Sequence, residues 1–392
     1  MQTAAEACEP HLVNISSGRV RRASGNFRWR LLLRQVICGL AHYTGILRLF
    51  EALRSIRNPR SNFTILTYHR VVHQDGVSPD DLPQGMAVSG TVFDLQLAHL
   101  AHRYHVVPLE ELVALIRQGR PVSPRTVAIT LDDGWLDNFE GAEPVLRKYG
   151  MTATIFIPTD FIDSSSMLWF HVADTVLRQY DFPEAEYTTL VEASGLPADI
   201  RSELLKRKDQ PTQTVECLKR APARLAQRFA QQLLNRSRLD PIPLAGRHCL
   251  LSWEQIRMLR DRGIRFGSHT CSHPMLTRLE VAEIDTELSD SRRELERHLE
   301  LSCQGLAYPN GSYDERVQRS AQRAGYEYAC AVYVVSPATD PPDLFALPRL
   351  NMHESKCAGA CGGFSRAVFS CMVSGFWGPS AFRSALSRDR RA

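Results

Sequence analysis

The chain has 392 residues, 44% hydrophobic and 23% charged, with 23 Gly and 22 Pro. That is the composition of a folded protein and excludes a disordered, collagen-like or low-complexity chain. The net charge is only +4 and no basic stripe interleaved with aromatics appears, which argues against nucleic acid as a partner. Residues 1–26 are small, polar and basic and read as a poorly ordered N-terminus. From Phe27 to Arg57, Leu32, Val36, Leu40, Tyr43, Leu47, Phe50 and Leu53 recur at helical spacing among arginines. This predicts a basic amphipathic helix over 27–60, lying on a membrane surface or packed against the rest of the protein, with a signal-anchor as the third alternative. Its uncharged part, Gln35 to Leu47, is 13 residues, too short to span a bilayer. No clean cleavage site follows it, so the expected location is cytoplasmic, with peripheral contact to the inner membrane face through 27–57.

Residues 61–392 read as one α/β unit, because apolar runs alternate with helical patterns as in βα repeats with a parallel sheet. Strands are expected at Phe63–Tyr68, Thr126–Leu131, Thr152–Ile157, Ile264–Gly267, Gly305–Tyr308 and Tyr328–Val332. Helices are expected at Val92–Arg103, Leu109–Gln118, Gly141–Tyr149, Ser252–Arg262, Ala282–Leu299 and Glu315–Ala324. Gly150, Gly263 and Gly325 follow three of these as C-terminal caps do. The interval 164–247 breaks the rhythm: it is helix-rich, charged and punctuated by prolines, and reads as a helical insertion between two strands. Such an insertion serves as a lid, a substrate wall or a plain appendage. The ten cysteines form no CxxC pair and read as buried or free thiols. Cys357 and Cys361 have no second pair beside them to complete a zinc site.

Two stretches carry chemistry. In Thr126-Val-Ala-Ile-Thr-Leu-Asp132-Asp133-Gly134-Trp135 a buried strand ends in adjacent carboxylates. The C-terminal end of a parallel strand is where α/β barrels place catalytic groups. Side chains that leave a strand consecutively diverge, so one carboxylate can ligate a metal while its neighbour stays free as a base. Alone, such a pair also suits a turn or a helix N-cap. The second stretch, Gly267-Ser-His269-Thr-Cys-Ser-His273-Pro274, again follows a predicted strand. Two His at i, i+4 converge on one ion if the segment coils as a helical turn, although solvated loop histidines give the same spacing. With Asp133 they make a two-His, one-carboxylate set suited to metal-assisted hydrolysis.

Together with Leu66-Thr-Tyr-His69-Arg-Val and Leu306-Ala-Tyr308-Pro309-Asn-Gly311-Ser-Tyr313-Asp314, these blocks resemble the polysaccharide deacetylases of the NodB-homology, carbohydrate esterase 4 type. The resemblance covers about Phe63 to His353, with the core motifs in 125–353. It implies a distorted (β/α) barrel with fewer than eight strands and a divalent metal, usually zinc, held by Asp133, His269 and His273. It further implies that Asp132 is the general base for attack of metal-bound water on an N-acetyl carbonyl, and that the backbone N–H of Tyr308 helps stabilise the oxyanion. The arginine that many members carry in the third motif is absent; Arg349, in Leu347-Pro-Arg349-Leu350, is a candidate to orient the base in its place. The general acid motif is not clean, and His353 sits where it might fall. His69 is a candidate for a pocket-facing position, and Trp135 and Trp169 for sugar stacking or for core packing. The implied partner is an N-acetylated glycan. A small amide or O-acetyl ester is a second substrate class for the same site, and a catalytically silent glycan- or membrane-binding barrel is the reading from another class.

Overall fold

The structure, a computed structural model, describes residues 25–377 apart from 73–78, 80–81, 84, 165–166, 240–248, 333–340 and 361. The stretch 1–24, the greater part of the segment expected to be poorly ordered, lies outside the described residues. Two helices, α1 (Gly25–Tyr43) and α2 (Ile46–Arg57), lead into β1 (Phe63–Tyr68). A short parallel pair, β2 (Arg70–Val72) and β3 (Ala87–Ser89), precedes α3 (Gly90–Arg103), β4 (His105–Val106) and α4 (Leu109–Arg117). Next come β5 (Thr126–Leu131), α5 (Glu143–Lys148) and β6 (Thr154–Ile157). The insertion then contributes α6 (Trp169–Gln179), α7 (Glu184–Ala193), α8 (Ala198–Lys206), α9 (Pro211–Leu218) and α10 (Ala223–Ser237). The alternation resumes with α11 (Trp253–Asp261), β7 (Arg265–Ser268), α12 (Val281–Leu299) and β8 (Gly305–Ala307). It closes with α13 (Glu315–Arg323), β9 (Tyr328–Val332), β10 (Leu347–Asn351) and α14 (Arg366–Val373).

Seven of these strands form a closed, all-parallel barrel in the order β1-β10-β9-β8-β7-β6-β5, with β5 returning to β1 and β4 appended to β5. The expected barrel of fewer than eight strands is thus the fold observed. Closure runs along all of β1, from Phe63 opposite Thr126 to Tyr68 opposite Leu131. Every residue of β5 is buried, as a parallel strand covered on both faces requires. Ile65, Ala128, Phe156, Tyr328 and Cys330 pack in one cluster with Leu109, Leu112 and Ile116 of α4. Strand β10 escapes a reading of the sequence because Leu-Pro-Arg-Leu-Asn lacks the β-branched and aromatic residues that mark strands. It is held instead by partners on both sides, with Arg349 opposite Val332 and Ile65.

The single helix expected over 27–60 is two helices that meet at a 75° bend. Gly45 stands at the break with φ 87°, a conformation open to glycine at no steric cost, and the apolar periodicity reads straight through it. Cys38 and Ala41 are buried and α1 lies along α14, while Arg34 donates to the carbonyls of Ala358 and Lys356. Glu51 is buried and paired with Arg125 at 2.8 Å.

The insertion has an apolar core of its own, built on Phe182, Tyr187, Val191, Phe229 and Leu233, that reaches the barrel through Trp135. Phe229 is fully buried there, and a buried Phe→Ala change costs about 3–5 kcal/mol. Phe229→Ala is therefore expected to lower the urea midpoint of the whole chain or to split its unfolding into two transitions. An unchanged midpoint would mean that the insertion does not pack as described.

Candidate metal and catalytic site at the barrel mouth

The C-terminal ends of the strands converge on a cavity of about 400 Å³ lined by His69, Asp132, Asp133, His269, His273 and Asn351 among others. Three loops build it with backbone in the left-handed region: Asp133 (φ 73°) and Gly134 (φ 67°) after β5, Thr270 (φ 70°) and His273 (φ 57°) after β7, and Asn310 (φ 56°) after β8. Positive φ is uncommon outside glycine and a genuine outlier for a β-branched residue such as Thr270. Such strain concentrates where side chains must be aimed. At Gly134 a Cβ would also lie 2.7 Å from Cδ1 of Ile157.

Asp133 reaches both histidines: its Oδ1 lies 3.5 Å from Nε2 of His269 and 3.3 Å from Nε2 of His273. The indole N–H of Trp135 donates to its other oxygen at 3.0 Å. Nδ1 of His269 lies 2.7 Å from the carbonyl oxygen of Ala307, which can only accept, so the proton sits on Nδ1 and Nε2 is turned towards the cavity. The 269–273 segment is a bent loop with Thr270 and His273 in the left-handed region rather than a helical turn. It is tied down by Glu287 of α12, whose carboxylate accepts from the amides of Cys271 (2.8 Å) and Ser272 (2.9 Å) and from the Ser272 hydroxyl. Three donor atoms within 4.8 Å of one another, two imidazole and one carboxylate, form a set that suits a divalent cation and leaves coordination positions open. Burial works against charge on Asp133, but its contacts to His269 and His273 outweigh it and hold the carboxyl well below the usual range. Burial pulls His269 down, yet Asp133 and Asp132 raise it overall; for His273 burial prevails and the ring is lowered.

Asp132 points elsewhere. Both its oxygens accept from Arg349 at 2.7 Å in a buried bidentate pair, and the same guanidinium donates to Thr130 Oγ1. Burial would raise the Asp132 carboxyl, but Arg349 and His269 bring it below its ordinary value. His69 lies in the cavity wall with its Nδ1 buried and without a hydrogen-bond partner among the described residues. Trp169 and Phe170 line the cavity from the insertion, whereas Trp135 is buried, with Arg70 stacked over its ring.

Two expected site residues are placed differently. The Tyr308 amide donates to the Cys330 carbonyl at 3.0 Å and its hydroxyl to the Phe345 carbonyl, so barrel pairing uses the N–H expected to face an oxyanion. His353 does not line the cavity: the chain leaves β10 at Asn351 and turns, placing the ring beside Gly85 with Nδ1 3.1 Å from the Ser355 hydroxyl. Burial and Lys356 push that imidazole down to about 4. Glu287 was missed by sequence reasoning, since nothing local marks a helix glutamate as the anchor of loop residues fifteen and sixteen positions before it.

The profile of the polysaccharide deacetylase family matches residues 119–329, and the chain belongs to that family. It is 21% identical over 265 residues to YxkH of Bacillus subtilis (strain 168), a protein grouped by name with the polysaccharide deacetylases; the match covers 68% of this chain and 65% of YxkH. Among solved structures it is similar to the Streptococcus pyogenes deacetylase PplD in complex with acetate, at 18% identity and a TM-score of 0.48 over 76% of this chain and 95% of PplD. It is similar also to IcaB from Ammonifex degensii, at 16% identity and a TM-score of 0.48 over 79% of this chain and 97% of IcaB.

Two substitutions test the geometry. Glu287→Ala frees the histidine loop, and loss of such outer support typically costs 10–100-fold in metal affinity; competition against a chelator should show a loss of that size, and unchanged affinity would remove Glu287 from the site. Arg349→Met leaves the Asp132 carboxylate buried without its partner, a change worth about 3–5 kcal/mol at neutral pH. The parent pair contributes its full stability above the ordinary carboxylate range and loses it as pH falls through the depressed folded-state value. In the variant the carboxyl is raised, so its deficit in denaturant stability should shrink as pH falls; a deficit independent of pH would point to lost packing alone.

Proposed function

We propose that this chain is a metal-dependent hydrolase that removes N-acetyl groups from an N-acetylated polysaccharide or glycan precursor. The observation that carries the proposal is the shared cavity: the Asp133, His269 and His273 donors and the Arg349-bound Asp132 carboxylate open onto one space in a member of this family. Asp133, His269 and His273 would hold a divalent ion, zinc by the match of imidazole and carboxylate donors, which would supply a Lewis acid for the acetamide carbonyl and lower the pKa of its bound water. The residues of the chain do the remaining work. Asp132, kept ionised by Arg349, takes the proton of the attacking water. His69 faces the same cavity and is the imidazole positioned to pass a proton to the leaving amine, the role that the sequence had suggested for His353. Trp169 and Phe170 offer ring faces against which a pyranose packs, and Lys219 and Asn310, 3.4 Å apart, offer polar contacts across the cavity.

Elemental analysis of the purified protein and of His273→Ala tests the metal first, without a choice of substrate. About one ion per chain in the parent and its loss in the variant are expected; no retained metal after supply of zinc or cobalt would overturn the proposal. Asp132→Asn is then expected to keep the metal and to lower kcat for acetate release from N-acetylated glycans by about 10²–10⁴-fold, the usual worth of a general base.

A further inference from the structure

Of the thirteen large hydrophobic residues that the described surface exposes, ten lie on α1 and α2. On α1, Trp29, Leu32, Val36, Leu40 and Tyr43 recur every three or four residues and are 49–77% exposed. On α2 the same spacing is kept by Ile46, Leu49, Leu53 and Ile56, 49–78% exposed. The faces turned inward are mostly small or charged, with Leu47 as the one fully buried large apolar side chain: Cys38 and Ala41 pack on the domain, Arg34 binds backbone carbonyls, Glu51 pairs with Arg125, and Arg54 donates to the carbonyls of Ser374 and Phe63. This inverts the usual amphipathic helix, whose apolar stripe faces the core. A contiguous apolar surface of that kind marks a docking face.

We infer that α1 and α2 form a docking surface for an anionic lipid bilayer, on which the protein lies without crossing it. The charge pattern selects this partner. Residues 10–62 contain ten arginines and a single acidic residue, Glu51, and Glu51 is buried in its pair with Arg125. Neither helix therefore presents a carboxylate to the outside, while Arg48 and Arg57 stand exposed beside the apolar stripes. Apolar side chains flanked by arginines, with no acid among them, match the boundary between acyl chains and anionic headgroups. Among the described residues no single helix is long and apolar enough to cross a membrane, and the pair is bent by 75°, which suits a surface-lying arrangement. Arg34 and Gln35 of α1 contact residues 358–360, just beyond the strand that reaches the cavity at Asn351. The docking face thus begins on the mouth side of the barrel. The inference is independent of the chemistry at the cavity.

The experiment is flotation of the full-length protein with phosphatidylcholine vesicles and with vesicles that also contain phosphatidylglycerol. The parent is expected to float with the anionic vesicles and to be partly released by salt. The double variant Leu40→Glu/Leu53→Glu, altered only at exposed positions, should lose at least about tenfold in binding while its circular dichroism spectrum is retained. Arg48→Glu/Arg57→Glu should weaken binding to the anionic vesicles selectively, and keeps the test decisive should the first variant fold poorly. Failure of the parent to float, or equal flotation of parent and folded variants, would overturn the inference. So would light scattering that shows a dimer of this chain, dispersed by the leucine substitutions and indifferent to vesicles.

Discussion

A buried ion pair between Arg349 and Asp132 organises the centre of this protein. Two charges inside a barrel are costly to desolvate, and the pair persists because its geometry is bidentate and the guanidinium has further acceptors in Thr130 and the Ala331 carbonyl. Arg349 lies on β10, which fills the gap between β9 and β1. Barrel closure and the aiming of the Asp132 carboxylate are therefore a single event. The guanidinium also lies 5.4 Å over the Phe156 ring, so the charge rests on the same aromatic that fills the barrel below.

Around that centre, the mouth loops hold unfavourable backbone conformations in place of regular structure. Asp133, Thr270, His273 and Asn310 all have positive φ, at a cost of order 1–3 kcal/mol for each strained residue. The supports are specific: the Trp135 indole for Asp133, the Ala307 carbonyl for His269, and the Glu287 carboxylate for the loop between the histidines. A candidate ligand set held by its surroundings in this way would bind an ion with less reorganisation. The barrel core supplies the stability that lets such loops persist.

Two additions to the barrel do opposite things with apolar surface. The insertion gathers its own into a core and lends Trp169, Phe170 and Val215 to the cavity wall. The N-terminal pair of helices turns its own outward and attaches to the domain through arginine hydrogen bonds and small residues. Helical spacing of apolar residues occurs in both cases, and it does not by itself say whether the apolar face is buried.

Local chemistry made much of this legible from the sequence. Alternating apolar runs and helical patterns pointed to βα units with a parallel sheet, the resemblance of the motifs added the barrel, and β5 and β9 occupy the residues that their hydrophobic runs mark out. The residue types of Asp132, Asp133, His269 and His273, each directly after a strand, already marked a mouth of that barrel with metal-ligating potential. Tertiary structure alone decided the use of groups that every residue type leaves open. The Tyr308 amide is spent on Cys330, Arg349 meets a carboxylate 217 residues away, His69 lines the cavity and His353 packs behind the lining residue Gly85. It likewise decided that the helical pattern over 27–57 breaks at Gly45 and buries Arg34 and Glu51 together with Cys38, Ala41 and Leu47, leaving most of its large apolar residues outside. The physical reason is common to all of these. Residue type and spacing set what a side chain or an amide is able to do, whereas the partner it finds comes from strands and helices remote in sequence.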